Sequence, residues 1–364
     1  MPFLLQPRRL HVRKTIFVGS VLVLLFIYAY FIREPPGPAN PVFRGHTMGT
    51  TYEVRIVGSS MAQSQVEALK EEIEQSLEEI NQQMSTYEPE SEISRFNRHR
   101  ETAPFPVSAP FARVTATALE LAAATDGAFD PTLDPLISLW GFGTEGIPAE
   151  PPTPEQIETA RSACGFQHVK TDGAGAIEKD PGTVQLNLNA IAKGYGADVI
   201  STHLSRRGLI HSYVEIGGEV RVRGTNLQGT PWRIGIDIPD STTAPGEQIA
   251  AILSLSDLAV ATSGNYRNFY DDAQGVRRMH IIDPRTGVPA THATAGATVV
   301  APTCMEADGI ATALMVMEKE DALAWIEDRP DVEAMLIVRT LEGEFVSAHS
   351  SGFAQYLEKK FVGE

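Results

Sequence analysis

Between Thr183 and Ile282 the chain sets seven short strand-like segments against a single helical one, and that order rules out most folds at once. The strands read as Thr183–Leu188, Ser212–Ile216, Val220–Arg223, Trp232–Ile238, Ile249–Leu255, Ala259–Thr262 and Met279–Ile282, the helix as Ile191–Ser205. A doubly wound sheet needs a helix between successive strands, whereas strands joined by short turns pair as hairpins. Upstream, Thr51–Ile56 alternates as a strand. Gln63–Gln83 places Val66, Leu69, Ile73, Leu77 and Ile80 on one helical face, and Val107–Ala124 reads as a second helix. Residues 142–158, rich in Gly and Pro, are expected to form a surface loop. Downstream come a strand at Ala297–Ala301, helices at Glu306–Met317 and Ala322–Glu327, and strands at Val332–Val338 and Glu344–Ser347. The expected class is α+β, with mixed or antiparallel sheets flanked by helices.

Ahead of this body, Thr15 to Ile32 is an uncharged, mostly apolar run near the lower length limit for a membrane-spanning helix. Arg8, Arg9, Arg13 and Lys14 precede it, which places residues 1–14 in the cytoplasm and the body on the periplasmic side. No small-x-small cleavage site follows, so a single-pass anchor in the cell membrane (15–32) is expected rather than a cleaved signal peptide. Residues 33–44 read as a stiff proline-rich linker and 45–360 as one domain. The net charge of −16 hides an asymmetry: residues 1–33 hold five basic side chains and no acid, leaving 25 basic against 46 acidic beyond them. Such a body repels nucleic acid, and any phosphate ligand needs specific local groups. With only Cys164 and Cys304, a disulfide scaffold or multi-cysteine metal site is excluded.

No G-x-G-x-x-G, Walker A or G-x-S-x-G pattern is present. Polar and glycine clusters at strand ends stand out instead. In Asn187-Leu-Asn-Ala-Ile-Ala-Lys-Gly-Tyr-Gly196 a helix start brings backbone amides and Lys193 together, the makings of an anion site, or simply a capped helix with a solvated lysine. Asp308 and Thr312 lie four apart on a predicted helix; a carboxylate and a hydroxyl on one face suit a hard cation such as Mg²⁺. His280 and Asp283, in His280-Ile-Ile-Asp-Pro-Arg-Thr-Gly287, are either acid/base groups or a structural histidine and an Asx turn before Pro284.

Taken in order, a set of stretches resembles the FAD:protein FMN transferases of the ApbE family. They are Met48-Gly-Thr-Thr-Tyr52, Ser85-Thr-Tyr87, Ser91-Glu-Ile-Ser-Arg-Phe-Asn97, Gly127-Ala-Phe-Asp-Pro-Thr132 and Trp140-Gly-Phe142. They continue with Ala190-Ile-Ala-Lys-Gly194, Glu215-Ile-Gly-Gly-Glu219, Ala261-Thr-Ser-Gly-Asn-Tyr266, the His280–Gly287 string and Ala307-Asp-Gly-Ile-Ala-Thr312. The resemblance implies a two-lobed domain with FAD, the substrate, between the lobes and Mg²⁺ at the pyrophosphate. FMN would pass to a threonine or serine of an acceptor protein with an S/T-G-A-T-like motif, a membrane redox subunit or a soluble flavoprotein, and AMP would leave. Carried over by position, Met48, Tyr87, Ala128, Phe129, Asp130 and Lys193 look like flavin-nucleotide contacts, with the Ile282 backbone beside them. Asn187 stands where the family often has Asp. Asp308 and Thr312 look like metal ligands, with carbonyls of Ala190 and Ala311, and His280 and Asp283 resemble groups that activate or orient the acceptor hydroxyl. The same pocket would serve an FAD pyrophosphatase, with water as nucleophile, or a non-catalytic FAD-binding protein. Thr294-Ala-Gly-Ala-Thr298 is similar to the acceptor pattern, but its position in a core strand argues against self-modification.

Overall fold

Met48 and Gly49 close the first hairpin with φ of 50° and 71°, the left-handed pair that a two-residue turn needs to match strand twist. The computed structural model describes residues 19–23, 36–244, 246–266, 268–291 and 293–360. The hairpin is β1 (Val42–Thr47) and β2 (Thr50–Ile56), followed by helices α1 (Gln63–Met84) and α2 (Glu92–Arg98). Strand β3 (Phe105–Pro106), α3 (Ala109–Ala124), α4 (Asp134–Leu139) and α5 (Pro154–Ser162) lead to β4 (Val169–Thr171) and β5 (Ala176–Lys179). Helix α6 (Asn189–Arg206) precedes β6 (Ser212–Ile216), β7 (Glu219–Arg223), β8 (Trp232–Asp237), β9 (Ile249–Leu255) and β10 (Ala259–Gly264). Two ribbons follow, β11 (Phe269–Asp271) with β12 (Arg277–Met279) and β13 (Ile282–Asp283) with β14 (Val288–Pro289). Last come β15 (Thr294–Ala301), α7 (Cys304–Leu314), α8 (Lys319–Glu327), β16 (Glu333–Arg339), β17 (Phe345–His349) and β18 (Leu357–Lys360).

One eight-stranded sheet, in the order β1-β2-β6-β7-β10-β15-β16-β17, spans the body, and its strand pairs are antiparallel throughout. Its sixth strand, β15, is buried at every position, as a strand covered on both faces must be. One face carries α1, α6 and α7 over Ile80, Ile191, Ala297, Val299 and Ile310. The other packs Val220, Val222, Val260 and Val300 against Trp232, Ile234 and Leu253 of a three-stranded sheet, β18-β9-β8. The outcome is helices, large sheet and small sheet in three layers, an α+β architecture with antiparallel sheets.

Four expectations change. Thr183–Leu188 is extended but joins no ladder, because its backbone is satisfied from elsewhere: Leu186 N–H donates to Asn97 Oδ1 (2.7 Å), Asn97 Nδ2 to Leu186 O (2.8 Å), Asn187 N–H to Pro131 O (2.7 Å), and buried Lys179 Nζ to Val184 O (2.9 Å). The segment read as a loop at 142–158 ends in helix α5, which Pro154 enters at the first turn behind the Thr153 cap. The expected strand Met279–Ile282 divides between β12 and β13. The linker does not run to 44: Gly37 N–H donates to Met61 O (2.9 Å), Gly58 N–H to Asn40 Oδ1 (3.0 Å), and β1 starts at Val42. The apolar run 15–32 lies largely outside the described residues; 19–23 are helical, and among the described residues no helix is long and apolar enough to cross a membrane. Cys164 and Cys304 are both free thiols.

Candidate active site

Beside the middle of the large sheet, where α6 and α7 cross it, lies a cavity of 820 Å³, within the range of small-molecule sites. Gly194 permits the crossing: a Cβ there would stand 2.2 Å from the Cys304 carbonyl and 2.8 Å from Asp308 Cβ. With no side chain in the way, Gly194 N–H donates to Asp308 Oδ2 (2.9 Å), drawing on a donor whose ordinary helical acceptor is the Ala190 carbonyl. Ala190 lines the cavity with Asp308 and Thr312. Asp308 is 2% exposed. Thr312 Oγ1 is 3.1 Å from Ser263 Oγ, which ties the helix to the end of β10.

Lys193 Nζ stands between two carboxylates, 3.6 Å from Glu219 Oε1 and 3.7 Å from Asp308 Oδ1. Burial opposes its charge, yet the Asp308 and Glu219 carboxylates outweigh that and raise its pKa. Glu219 is 4% exposed and its Oε2 has no hydrogen-bond partner. Burial pushes Glu219 upward, with Lys193 opposing and Asp308 adding to the rise. Burial likewise raises Asp308 against the pull of Lys193.

His280 lines the same cavity from the other side, in edge contact with the Phe142 ring (6.3 Å between centroids). Its Nδ1 is 3.1 Å from the Asn268 carbonyl, an acceptor only, so Nδ1 carries the proton and Nε2 is left with its lone pair. Burial lowers its pKa, the Asn268 bond opposes this, and Lys193 lowers it further.

Met48, Tyr87, Ala128, Phe129, Asp130, Asn187 and Ile282 also line the cavity. Tyr87 is half open to solvent with its hydroxyl 3.4 Å from Phe142 O. Asp130 is spent on local structure: its oxygens accept Thr132 N–H (2.8 Å), Thr132 Oγ1 (2.6 Å) and Phe166 N–H (3.1 Å). Asn187 donates through Nδ2 to Asp134 Oδ1 (3.0 Å) and caps Asn189 N–H (3.1 Å). Two expected residues are not brought in. Ala311 is fully buried in the core and does not line the cavity. Asp283 faces away, its carboxylate held by both Nε and Nη2 of Arg285 (2.9 and 2.8 Å) and by the Arg285 amide; it is the Asx turn before Pro284. Glu219, Thr262 and Ser263, which lie in stretches that carry the resemblance but have no role assigned from sequence, also line the cavity, as does the β8 stretch Gly235–Asp237, which no sequence pattern marked. Glu219 carried a signal, since it directly follows two turn glycines that leave a strand end open.

The donors at Asp308 and Thr312, with the Ala190 carbonyl, are all hard oxygens, and only Asp308 among them brings a negative charge. Among the described residues no group of three or more His, Cys, Asp and Glu comes together in a way that could hold a metal ion. A cation completed by water and phosphate oxygens, as Mg²⁺ is, fits that set.

Similarity to known proteins agrees with this geometry. The ApbE family model matches residues 48–336. A FAD:protein FMN transferase of Vibrio cholerae is 41% identical over 324 residues, 88% of this chain and 94% of that one, and one of Haemophilus influenzae is 39% identical over 87% and 91%. Among solved structures, the flavin transferase ApbE of Vibrio cholerae superposes with a TM-score of 0.79 at 40% identity, covering 89% of this chain and all of that one. The apo flavinyl transferase ApbE of Pseudomonas stutzeri gives 0.77 at 36%, covering 88% and 98%. The chain belongs to the ApbE family.

Proposed function

We propose that this protein is a FAD:protein FMN transferase that moves FMN from FAD to a threonine or serine of an acceptor protein. The observation that carries the reading is the meeting of His280, Lys193, Asp308 and Thr312 around one cavity. The acceptor Oγ–H gives its proton to His280 Nε2 as the oxygen bonds to the phosphorus on the FMN side. The bridging P–O bond breaks, and AMP leaves with the bridging oxygen. A hydroxyl is a poor nucleophile unaided, so a base with a free ring nitrogen at neutral pH is what the step requires. Lys193, kept cationic by two carboxylates, holds phosphate charge. Asp308, Thr312 and the Ala190 carbonyl would hold Mg²⁺, which neutralises charge on the phosphates when bound. Met48, Tyr87, Phe129 and Asn187 are proposed flavin contacts. Asp283 acts at one remove, by shaping the turn after Ile282.

The basic residues before Thr15–Ile32 and the apolar run itself support an anchored enzyme working outside the cytoplasm; membrane pelleting of the full chain, with protease access to the body from the periplasm, tests this. The activity is tested with FAD, Mg²⁺ and candidate acceptor proteins: FMN bound to a hydroxyl residue supports it. Free FMN with unlabelled protein would mark a pyrophosphatase.

A further inference from the structure

Strand β10 outruns the neighbour on one of its sides. It pairs with β15 from Ala259↔Ala301 to Gly264↔Gly296, but with β7 only at Ala259↔Arg221 and Val260↔Val220. β7 starts at Glu219, behind the turn at Gly217 and Gly218, so the rest of β10 has no strand on that side. In an antiparallel ladder alternate residues turn both backbone groups to the same neighbour. Val222 N–H donates to Leu258 O (3.0 Å), which directs 258, 260, 262 and 264 toward the β7 side. Two contacts on the other side agree. Asn265 N–H donates to Ala295 O (3.3 Å), and Thr262 Oγ1 lies 2.9 Å from Thr298 Oγ1, the close approach of a pair that exchanges no backbone bonds.

Thr262 and Gly264 therefore turn N–H and C=O groups into a notch. Gly218, which the register would set against Thr262, donates its N–H to Glu215 Oε1 instead (2.7 Å). Among the described residues no backbone hydrogen bond reaches Thr262 or Gly264 from that side. The notch opens on the cavity, which Thr262, Ser263, Gly264 and Gly218 all line. A Cβ on Gly218 would meet nothing within 4 Å, so there is room, and the unpartnered Oε2 of buried Glu219 marks the inner end. Ser263 touches Thr312, so a chain paired to this edge at the usual interstrand spacing of about 4.8 Å runs past the Asp308–Thr312 group.

We propose that this notch is the acceptor site: the acceptor's serine- or threonine-bearing segment binds extended, as an added strand on the free edge of β10. This rests on the transferase reading and deepens it. Recognition through backbone leaves the side-chain hydroxyl unengaged and able to react, while alternate residues face the cavity. Position 264 takes a glycine because the Tyr266 ring packs on it: a Cβ there would stand 2.5 Å from that ring.

The probe is a synthetic peptide with one threonine between glycine and alanine, incubated with the enzyme, FAD and Mg²⁺, and remade with each backbone amide N-methylated in turn. N-methylation at alternate residues is expected to lower kcat/KM by about tenfold or more, and at the intervening ones far less, since each methyl on the paired side removes a hydrogen bond and blocks the edge. A flat profile overturns the proposal. So does an unmodified peptide left unlabelled by enzyme that binds FAD and labels a folded acceptor. If FAD is not bound at all, the transferase reading itself fails, and the acceptor site falls with it.

Discussion

Replacing Asp308 separates structure from chemistry, provided two substitutions are compared. Asp308→Ala takes away the acceptor of the buried Gly194 N–H, which costs about 1–3 kcal/mol when nothing replaces it. Lys193 keeps Glu219 at 3.6 Å, so the loss stays below the roughly 3–5 kcal/mol of a stranded buried charge. At about 2–4 °C per kcal/mol for a large domain, the alanine variant melts roughly 2–12 °C lower and remains folded. Asp308→Asn keeps the volume and an oxygen for Gly194, so its stability stays within about 1 kcal/mol of the parent. Both lose the carboxylate that would hold Mg²⁺ at the phosphates. The expectation is a fall in kcat/KM of about 10³-fold or more, near 4 kcal/mol of transition-state stabilisation. AMP release by chromatography and the melting curve are read on the same samples. If Asp308→Asn turns over FAD within about tenfold of the parent at saturating Mg²⁺, the metal assignment is wrong.

His280 works as a base in its neutral form, and burial lowers its pKa; kcat/KM should therefore fall on the acid side, through a value below that of an ordinary histidine, and stay level above it. His280→Gln should cost about 10²–10⁴-fold and remove that acid limb; a limb that persists assigns it to another group. Asn187→Asp puts a second carboxylate 3.0 Å from Asp134, whose own pKa burial already raises. The pair must then share a proton, so the variant loses about 1–3 kcal/mol at neutral pH and regains it as pH falls, and a pH-independent loss refutes the clash. Lys179→Met leaves Phe96 O and Val184 O without their donor, so denaturant unfolding should show a loss of about 2–4 kcal/mol, and no loss would show that water replaces the amine.

Periodicity made most of the framework legible. Val66, Leu69, Ile73, Leu77 and Ile80 are all buried on α1, and β6 to β10 fall where alternation put them. What periodicity could not reveal is where extended backbone finds its partners. Thr183–Leu188 alternates like a strand, but a side-chain amide from α2 and a buried lysine take the bonds a ladder would have made. Short helices such as α2 and α5 depend on single caps, at Ser91 and Thr153, not on a repeating pattern. At the site, residue type and spacing marked Lys193, Asp308, Thr312 and His280, because helix spacing and strand ends are local properties. Asp283 could not be told from a base by its neighbours in sequence; only the folded turn puts Arg285 on both its oxygens. Glu219 depended on three elements meeting, α6, α7 and the β6–β7 turn, which no local pattern encodes. Thr298, acceptor-like in sequence, is 1% exposed and bonded to Thr262, as its place in β15 requires.

The central claim is transfer rather than hydrolysis, and one mass measurement reaches it directly. The protein is incubated with FAD, Mg²⁺ and a candidate acceptor, and the intact masses and the released nucleotide are read together. Transfer makes the acceptor heavier by one FMN on a serine or threonine, releases one AMP per label, and leaves Thr298 of the enzyme unlabelled. Stoichiometric free FMN and AMP with every protein mass unchanged would contradict it.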